Sequence, residues 1–498
     1  MEVKQKQRVS EFITLKDIES WSPKEVITIS AGTGVGKSYF IKNNLYEYAK
    51  QQGKKILFLL HRKNAITQFE QELKRDKKED VIDIKTYQSI KEKCKYEEEY
   101  DFSSYGYIVS DEFHYFLKDA ELDRFIDLSL TAILEQSHCV KIFMSATGDS
   151  MRKYLSFGDK LPTKNYELKT DYNFINKMFF YYKKESLENI LNQFKQENKK
   201  AIIFTSAKEA YDLHKKYINR SIFNCSESNE YYKYVNIDKI NEIFEKEKFD
   251  ELFLFTTTTM DTGVNIVDSS LQTIICDLYS VDDIEQCIGR KRLINDDDYI
   301  NLYVRAKTKN EIETRQNIVM KVLDKAKYLM ENGEEAFLKK YPRDIEYTGI
   351  YYMEYEEGKI NLKINDLVLG STYLRIDEYE NILKYGYKGC IASWLGRTYL
   401  DGEYDYIDYD SVVNREKLLT ILESYKDKLL YGTDKEEFLV ELYACGFKKN
   451  AKAIGKVESY LKSLGIVEYV IKPKRIRDID SNGKEYRPTK WVVKKKKR

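Results

Sequence analysis

Two groups of residues have the types and spacing for phosphate chemistry. The first is Ala31-Gly32-Thr33-Gly34-Val35-Gly36-Lys37-Ser38. Glycines at this spacing let the backbone curl until its N–H groups point inward, and a helix that follows adds its positive N-terminal end. Gly32, Thr33, Gly34, Val35 and Gly36 would then cradle a phosphate chain. Lys37 would reach the outer phosphates, and Ser38 would place a hydroxyl on Mg²⁺. The second group is Asp111-Glu112-Phe113-His114. Asp111 would hold the metal through water, Glu112 would polarise an attacking water, and His114 could pass information onward. Ser145 and Thr147, in Ser145-Ala146-Thr147-Gly148, supply hydroxyls that could report on the acidic pair.

These groups need strands to deliver them. Val26-Ile27-Thr28-Ile29 is an apolar, β-branched run before the glycine loop, and Ile41, Leu45, Tyr48 and Ala49 follow at helical spacing. The runs Ile56 to Leu60, Val81 to Ile84, Tyr107 to Ser110 and Lys141 to Met144 read as strands of a parallel sheet, where continuous apolar stretches mark burial on both faces. In such a sheet the strand ends share one rim, where ligands bind. Arg62, Thr86 and Gln88 sit at those ends, and could touch something long lying across the rim. Residues from about Ser156 to Tyr172 are polar and read as a linker. A second α/β pattern follows, with strands at Ala201–Phe204, Leu252–Phe255, Leu271–Cys276 and Ile300–Val304. A helical stretch begins at Asp282 and runs on to Arg292. This half has no glycine loop, as fits a domain that completes a nucleotide site without owning one.

The order of these motifs resembles the superfamily 2 helicases and translocases of the DExH/DEAD-like kind. Gly32 to Ser38 resemble motif I, Leu60 to Asn64 motif Ia, Thr86 to Ser89 motif Ib, Asp111 to His114 motif II and Ser145 to Thr147 motif III. The stretch from Thr205 resembles motif IV, Thr257 to Ile266 motif V, and Gln286 to Arg292 motif VI. The resemblance covers about residues 24 to 305. It implies two tandem RecA-like domains with parallel sheets that share one ATP and its Mg²⁺, with Gly263 and Asn265 near the nucleotide. Thr205 and Thr257 would lie on nucleic acid. It gives the motif VI arginines to the γ-phosphate, beside Gln286. Arg290 matches the first; the second position falls on Leu293, with Arg292 one place earlier. A guanidinium there stabilises charge on the transferring group. The expected domains are 1–160, 173–308, an accessory helical region 309–434 and a basic module 435–498.

Composition bounds the rest. The chain has 498 residues, room for about three or four domains. Its 42% hydrophobic and 33% charged residues fit a globular protein with a sizeable core. Seven scattered cysteines form no C-x-x-C pair, and four histidines lack metal-ligand spacing. No signal-like leader or membrane-length apolar run occurs, so a cytoplasmic protein is expected. The net charge is only +1, yet from Lys448 to Arg498 there are 17 Lys and Arg against 5 Asp and Glu. That asymmetry points to a polyanionic partner. Helices at Lys435–Ala444 and Ala453–Leu464 precede two strands joined through Asn482-Gly483, a preferred hairpin turn. Helices followed by a basic hairpin resemble a winged helix. Lys456, Lys474, Arg475 and Arg477 would contact phosphates rather than specify sequence.

The expectation is an ATP-dependent helicase or translocase on nucleic acid, DNA favoured over RNA, in the company of replication or mobile-element proteins. A viral-type DNA-packaging ATPase remains an alternative; it would need a nuclease carboxylate cluster and no Gln286 to Arg290. So does an ATP-switched replication or defence factor that does not unwind.

Overall fold

The computed structural model describes residues 8–32, 34–61, 63–96, 99–120, 123, 125–156, 162–258, 265–295, 297–342, 349–356, 359–396, 406–447, 452–479 and 484–496. Thr33, Arg62 and Gly263 lie outside them. By packing, the chain divides into two compact units. One holds residues 1–176, 198–300 and 307–399; the other holds 177–197, 301–306 and 400–498.

The strands in chain order begin with β1 Val26–Ala31, β2 Lys55–Leu60, β3 Ile82–Thr86, β4 Tyr105–Asp111, β5 Val140–Ser145 and β6 Thr163–Leu168. Next come β7 Ile175–Tyr181, β8 Lys200–Phe204, β9 Ser221–Phe223, β10 Phe253–Thr256, β11 Leu271–Cys276 and β12 Ile300–Arg305. The last are β13 Tyr351–Glu356, β14 Lys359–Ile364, β15 Tyr406–Asp408, β16 Leu429–Leu430, β17 Tyr469–Arg475, β18 Asp478–Ile479, β19 Glu485–Tyr486 and β20 Thr489–Lys495.

In the first unit, a six-stranded sheet runs β3-β2-β4-β5-β1-β6, parallel at every pairing. Strands β1 and β5 are buried along their whole length, and β4 up to Asp111, as their unbroken apolar runs require. Parallel pairing brings their carboxyl ends to one rim: Ser30 lies opposite Ser145, and Asp111 opposite Met144. The polar stretch read as a linker instead contains β6, paired with β1 from Val26↔Thr163 to Ala31↔Leu168. It is an edge strand with no fully buried position, so its polar residues disguise it. After the glycine loop the helix runs as one α-turn, Lys37–Phe40, a π-helical turn, Ile41–Leu45, and a further α segment, Tyr46–Gln51. Phe40, Ile41, Leu45 and Ala49 are buried against the sheet.

A second parallel array in this unit runs β11-β8-β10-β9. β9 has only three residues and no sequence signal of its own. The helix Val281–Ile288 ends before the arginines, which corrects the expectation of a helical stretch to Arg292. There the chain leaves the helix to bridge Ile266: Ile266 N–H donates to Arg290 O (2.8 Å) and Arg292 N–H to Ile266 O (2.9 Å).

The unit closes with a helical stretch Lys309–Lys340 broken by a kink at Gly333 (φ +76°), the antiparallel hairpin β13–β14, and helices Asp366–Tyr385 and Tyr387–Trp394. Leu329, Phe337, Ile350 and Leu367 join the core of the six-stranded sheet, with Phe113, Phe116 and Phe143. Contact is close enough that a Cβ on Gly370 would come within 2.4 Å of the Tyr154 ring.

In the second unit, β15 pairs in parallel with β7. Asp410 accepts from Tyr182 N–H (2.8 Å) and from the Ser186 hydroxyl. Farther on, β20 lies between β16 and β17, antiparallel to both. Helices Thr433–Ala444 and Ile454–Ser463 cover this small sheet through Phe438, Leu442, Val457 and Leu461, packed with Trp491 and Val493. Among the described residues, no helix is long and apolar enough to cross a membrane.

Candidate nucleotide site

The glycine loop turns out of β1 through left-handed backbone at Gly34 (φ +80°) and Gly36 (φ +90°), where a side chain would be strained. Gly36 directly precedes the Lys37 helix. The Lys37 ammonium donates to Ala31 O (2.7 Å) and Gly32 O (3.4 Å), which holds it over the loop. Val35 and Ser38 are half-buried beside it.

At the end of β4, Asp111 Oδ1 is buried with no hydrogen-bond partner. Burial and the neighbouring Glu112 charge push Asp111 above its ordinary range, with Lys37 opposing them. Glu112 adopts a left-handed backbone (φ +52°), rare for a residue with a Cβ and a form of strain that gathers at functional sites. Burial works to raise Glu112. The hydrogen bond from His114 and the positive charges of Lys37 and Arg290 overcome it and hold the carboxyl well below its ordinary range.

From Glu112 a chain of polar groups crosses between the two sheets of this unit. His114 Nδ1 is 3.3 Å from Glu112 Oε2 and 2.8 Å from Ser145 Oγ, itself 3.5 Å from Glu112. Thr147 N–H donates to Ser145 Oγ (3.0 Å). On the far side of the ring, His114 Nε2 is 2.6 Å from Gln286 Nε2, which also donates to Thr147 Oγ1 (3.0 Å). Gln286 Oε1 accepts from Lys118 Nζ (3.3 Å). An amide nitrogen can only donate, so His114 Nε2 accepts and the ring proton sits on Nδ1, facing Ser145 and Glu112.

Other groups fasten the same face. Lys118 pairs with Asp283 (2.6 Å), Ser150 Oγ donates to Asp282 (3.1 Å), and the Tyr172 hydroxyl donates to Glu285. None of these carried a sequence signal, because each partner is more than a hundred residues away.

Both arginines face this region. Arg290 is 7% exposed, its Nε donates to Gln286 O (3.1 Å), and its charge reaches Glu112. Arg292 Nε donates to Asn265 Oδ1 (2.7 Å), and its Nη1 would lie 3.7 Å from a Cβ on Gly34. Burial and the Arg290 charge bring Arg292 down to about 10, so it stays protonated. A cavity of about 200 Å³ is lined by Gly32, Gly34, Gly289, Arg292 and Leu293. Arg292 is the guanidinium in its lining, beside the glycine loop, and a fixed cation there suits an anion such as a phosphate group.

The other predicted positions scatter more widely. Thr86 caps the helix Tyr87–Lys95 by accepting from Ser89 N–H (3.0 Å), and Gln88 Oε1 is buried without a partner. Thr205 and Thr257 line a separate cavity of about 740 Å³ with His114, Lys118, Arg315 and Glu378. In the second unit, Lys456, Lys474 and Arg475 are exposed, whereas Arg477 is engaged by Glu485.

Two protein-family models match the chain: "Type III restriction enzyme, res subunit" over residues 1–150 and "Helicase conserved C-terminal domain" over 182–292. The comparison with curated proteins found no match. Solved structures that resemble the chain include Saccharomyces cerevisiae Dbp5 bound to RNA and ADP–beryllium fluoride, 15% identical, with a TM-score of 0.42 over 59% of this chain and 83% of that one. A DEAD-box helicase bound to single-stranded RNA and UDP–beryllium fluoride is 13% identical, with a TM-score of 0.42 over 74% and 86%. A fragment of an HsdR-type subunit of a type I restriction enzyme from Vibrio vulnificus is 18% identical, with a TM-score of 0.36 over 58% and 62%. Residues 1–150 and 182–292 thus match, in this order, the paired domains of an ATP-hydrolysing superfamily 2 helicase or translocase.

Proposed function

We propose that ATP binds over the glycine loop, is hydrolysed between the β1–β6 sheet and the segment Gln286 to Arg292, and drives movement along nucleic acid. The observation that carries this reading is the continuous polar chain Glu112–His114–Gln286, whose backbone carbonyl at Gln286 accepts from Arg290 Nε (3.1 Å). Backbone N–H groups of the loop and Lys37 bind the phosphates. Glu112, kept ionised by its neighbours, orients and polarises the attacking water. Arg290 and Arg292 stabilise negative charge on the transferring group.

Mg²⁺ fits the donor set, since Asp111 presents a buried carboxylate oxygen with no hydrogen bond to satisfy it. Ser38 and Asp111 would hold the ion, which supplies charge neutralisation at the phosphates.

The pair of helices and three strands ending in β20 supports a winged-helix reading of residues 435–498, with Lys456, Lys474 and Arg475 on phosphates. The Helicase C-terminal match over 182–292 favours the motor over the packaging reading. The deciding experiment is ATP turnover with and without single- and double-stranded DNA and RNA. Stimulation by one of them is expected, DNA above RNA. Turnover indifferent to all four would overturn coupling to nucleic acid.

A further inference from the structure

The C-terminal helices of the first unit carry no motif, yet they converge on one short segment. It runs from Asp277 to Val281 and leads into the helix that bears Gln286. Tyr387 OH donates to Leu278 O (2.9 Å). The Arg315 guanidinium sits 3.8 Å above the Tyr279 ring, and the Lys307 ammonium 4.2 Å from it while also pairing with Asp277. Val281 N–H, the first of the helix, donates to Glu378 Oε1 (3.2 Å). Ser280, the residue in the ordinary capping position, makes no side-chain cap. A helix leaves its first N–H groups without partners, and here one is satisfied by a side chain from a different helix nearly a hundred residues on.

We infer that Glu378 is a positioning residue for ATP turnover, capping the Val281–Ile288 helix from outside and so fixing where Gln286 and Arg290 stand relative to Glu112. This rests on the reading of Gln286 and Arg290 given above. A cap supplied in trans makes the helix register depend on helix Asp366–Tyr385. That same helix lends Arg375 and Glu378 to the 740 Å³ cavity that Thr205 and Thr257 line. Whatever occupies the cavity therefore bears on the cap. Burial, with the charges of Asp282 and Asp283, pushes Glu378 up to about 7, against Arg375 and the Val281 hydrogen bond. A neutral side chain that keeps an acceptor oxygen can accordingly stand in for it.

The test compares Glu378→Ala with Glu378→Gln in the full chain. The alanine variant should lose about fivefold in kcat, the factor a lost helix cap corresponds to, with KM for ATP within twofold. The glutamine variant should recover most of the loss. Alanine at wild-type kcat, or glutamine as impaired as alanine, overturns the inference. Should Glu378→Ala fail to fold, Tyr387→Phe loosens the same segment, and wild-type kcat there overturns it too. Arg290→Ala runs alongside: if it turns over ATP normally, the underlying site reading has failed. If it is inactive while Glu378→Ala is normal, only the positioning role has failed.

Discussion

Around the phosphate loop the cations are held, with Arg290 buried and Lys37 and Arg292 half-buried. Lys37 is tied to Ala31 O, Arg290 to Gln286 O and Arg292 to Asn265. Along β17 and the helix before it, Lys456, Lys472, Lys474 and Arg475 stand exposed, and no ion pair fixes them among the described residues. The first arrangement suits chemistry, because charges already fixed by hydrogen bonds cost little reorganisation when negative charge develops. The second suits a partner of variable sequence, because solvated side chains exchange counterions for phosphates without needing a set geometry. Substitutions should separate the two regions: single changes in the crevice act on turnover, and single changes on the hairpin act weakly, on affinity alone.

The largest effect is expected at Arg290. Arg290→Ala should lower kcat by about 10³ to 10⁵, the range for a transition-state arginine, while ATP binding stays nearly intact. Single-turnover hydrolysis beside nucleotide binding reads both, and an active variant would break the contrast. Lys37→Ala should cost about a thousandfold in turnover and weaken ATP binding as well, since the lysine serves bound ATP and its transition state. Normal turnover in that variant would remove the loop from the site.

These two regions also differ in how far they could be read without coordinates. The loop and Asp111 to His114 are contiguous because one strand end must deliver them, so local pattern suffices. Gln286 and Arg290 stand out in the sequence only through the resemblance of their stretch to motif VI. What escaped notice depends on distance or on edges. β6 is an edge strand whose exposed positions are polar, so nothing in Thr163–Leu168 resembles a strand buried on both faces. The helix ends at Ile288 because Ile266, more than twenty residues upstream, draws the chain out by backbone hydrogen bonds. Glu285 finds Tyr172, and Val281 finds Glu378, only through the tertiary fold.

Glu285 gives a smaller, pH-dependent effect that tests the buried side of the comparison. Burial pushes its carboxyl up to about 7 from an ordinary 4.5, although the Tyr172 hydrogen bond opposes this. The folded state therefore binds the proton more tightly than the unfolded one. Its contribution is fully present below about 4.5 and is lost as pH rises toward 7. Glu285→Gln keeps a neutral group there. Its melting temperature relative to the parent should rise by a few degrees between pH 5 and 7 and level off above. A difference flat across that window would mean the carboxyl is not held neutral.

The smallest effect belongs to the exposed face. Each phosphate contact made by a solvated cation adds close to one unit to the slope of log affinity against log salt. Lys474→Ala together with Arg475→Ala should reduce that slope on duplex DNA by about two, weaken binding similarly for unrelated sequences, and leave basal ATP turnover unchanged. Arg477 offers a control on the same strand pair, because Glu485 already engages it. Arg477→Ala should change the slope less than either neighbour, since it releases fewer counterions on binding. If Arg477→Ala instead matches them, the Glu485 pair opens on contact with the duplex, and exposure rather than pairing decides which of these cations reach phosphate.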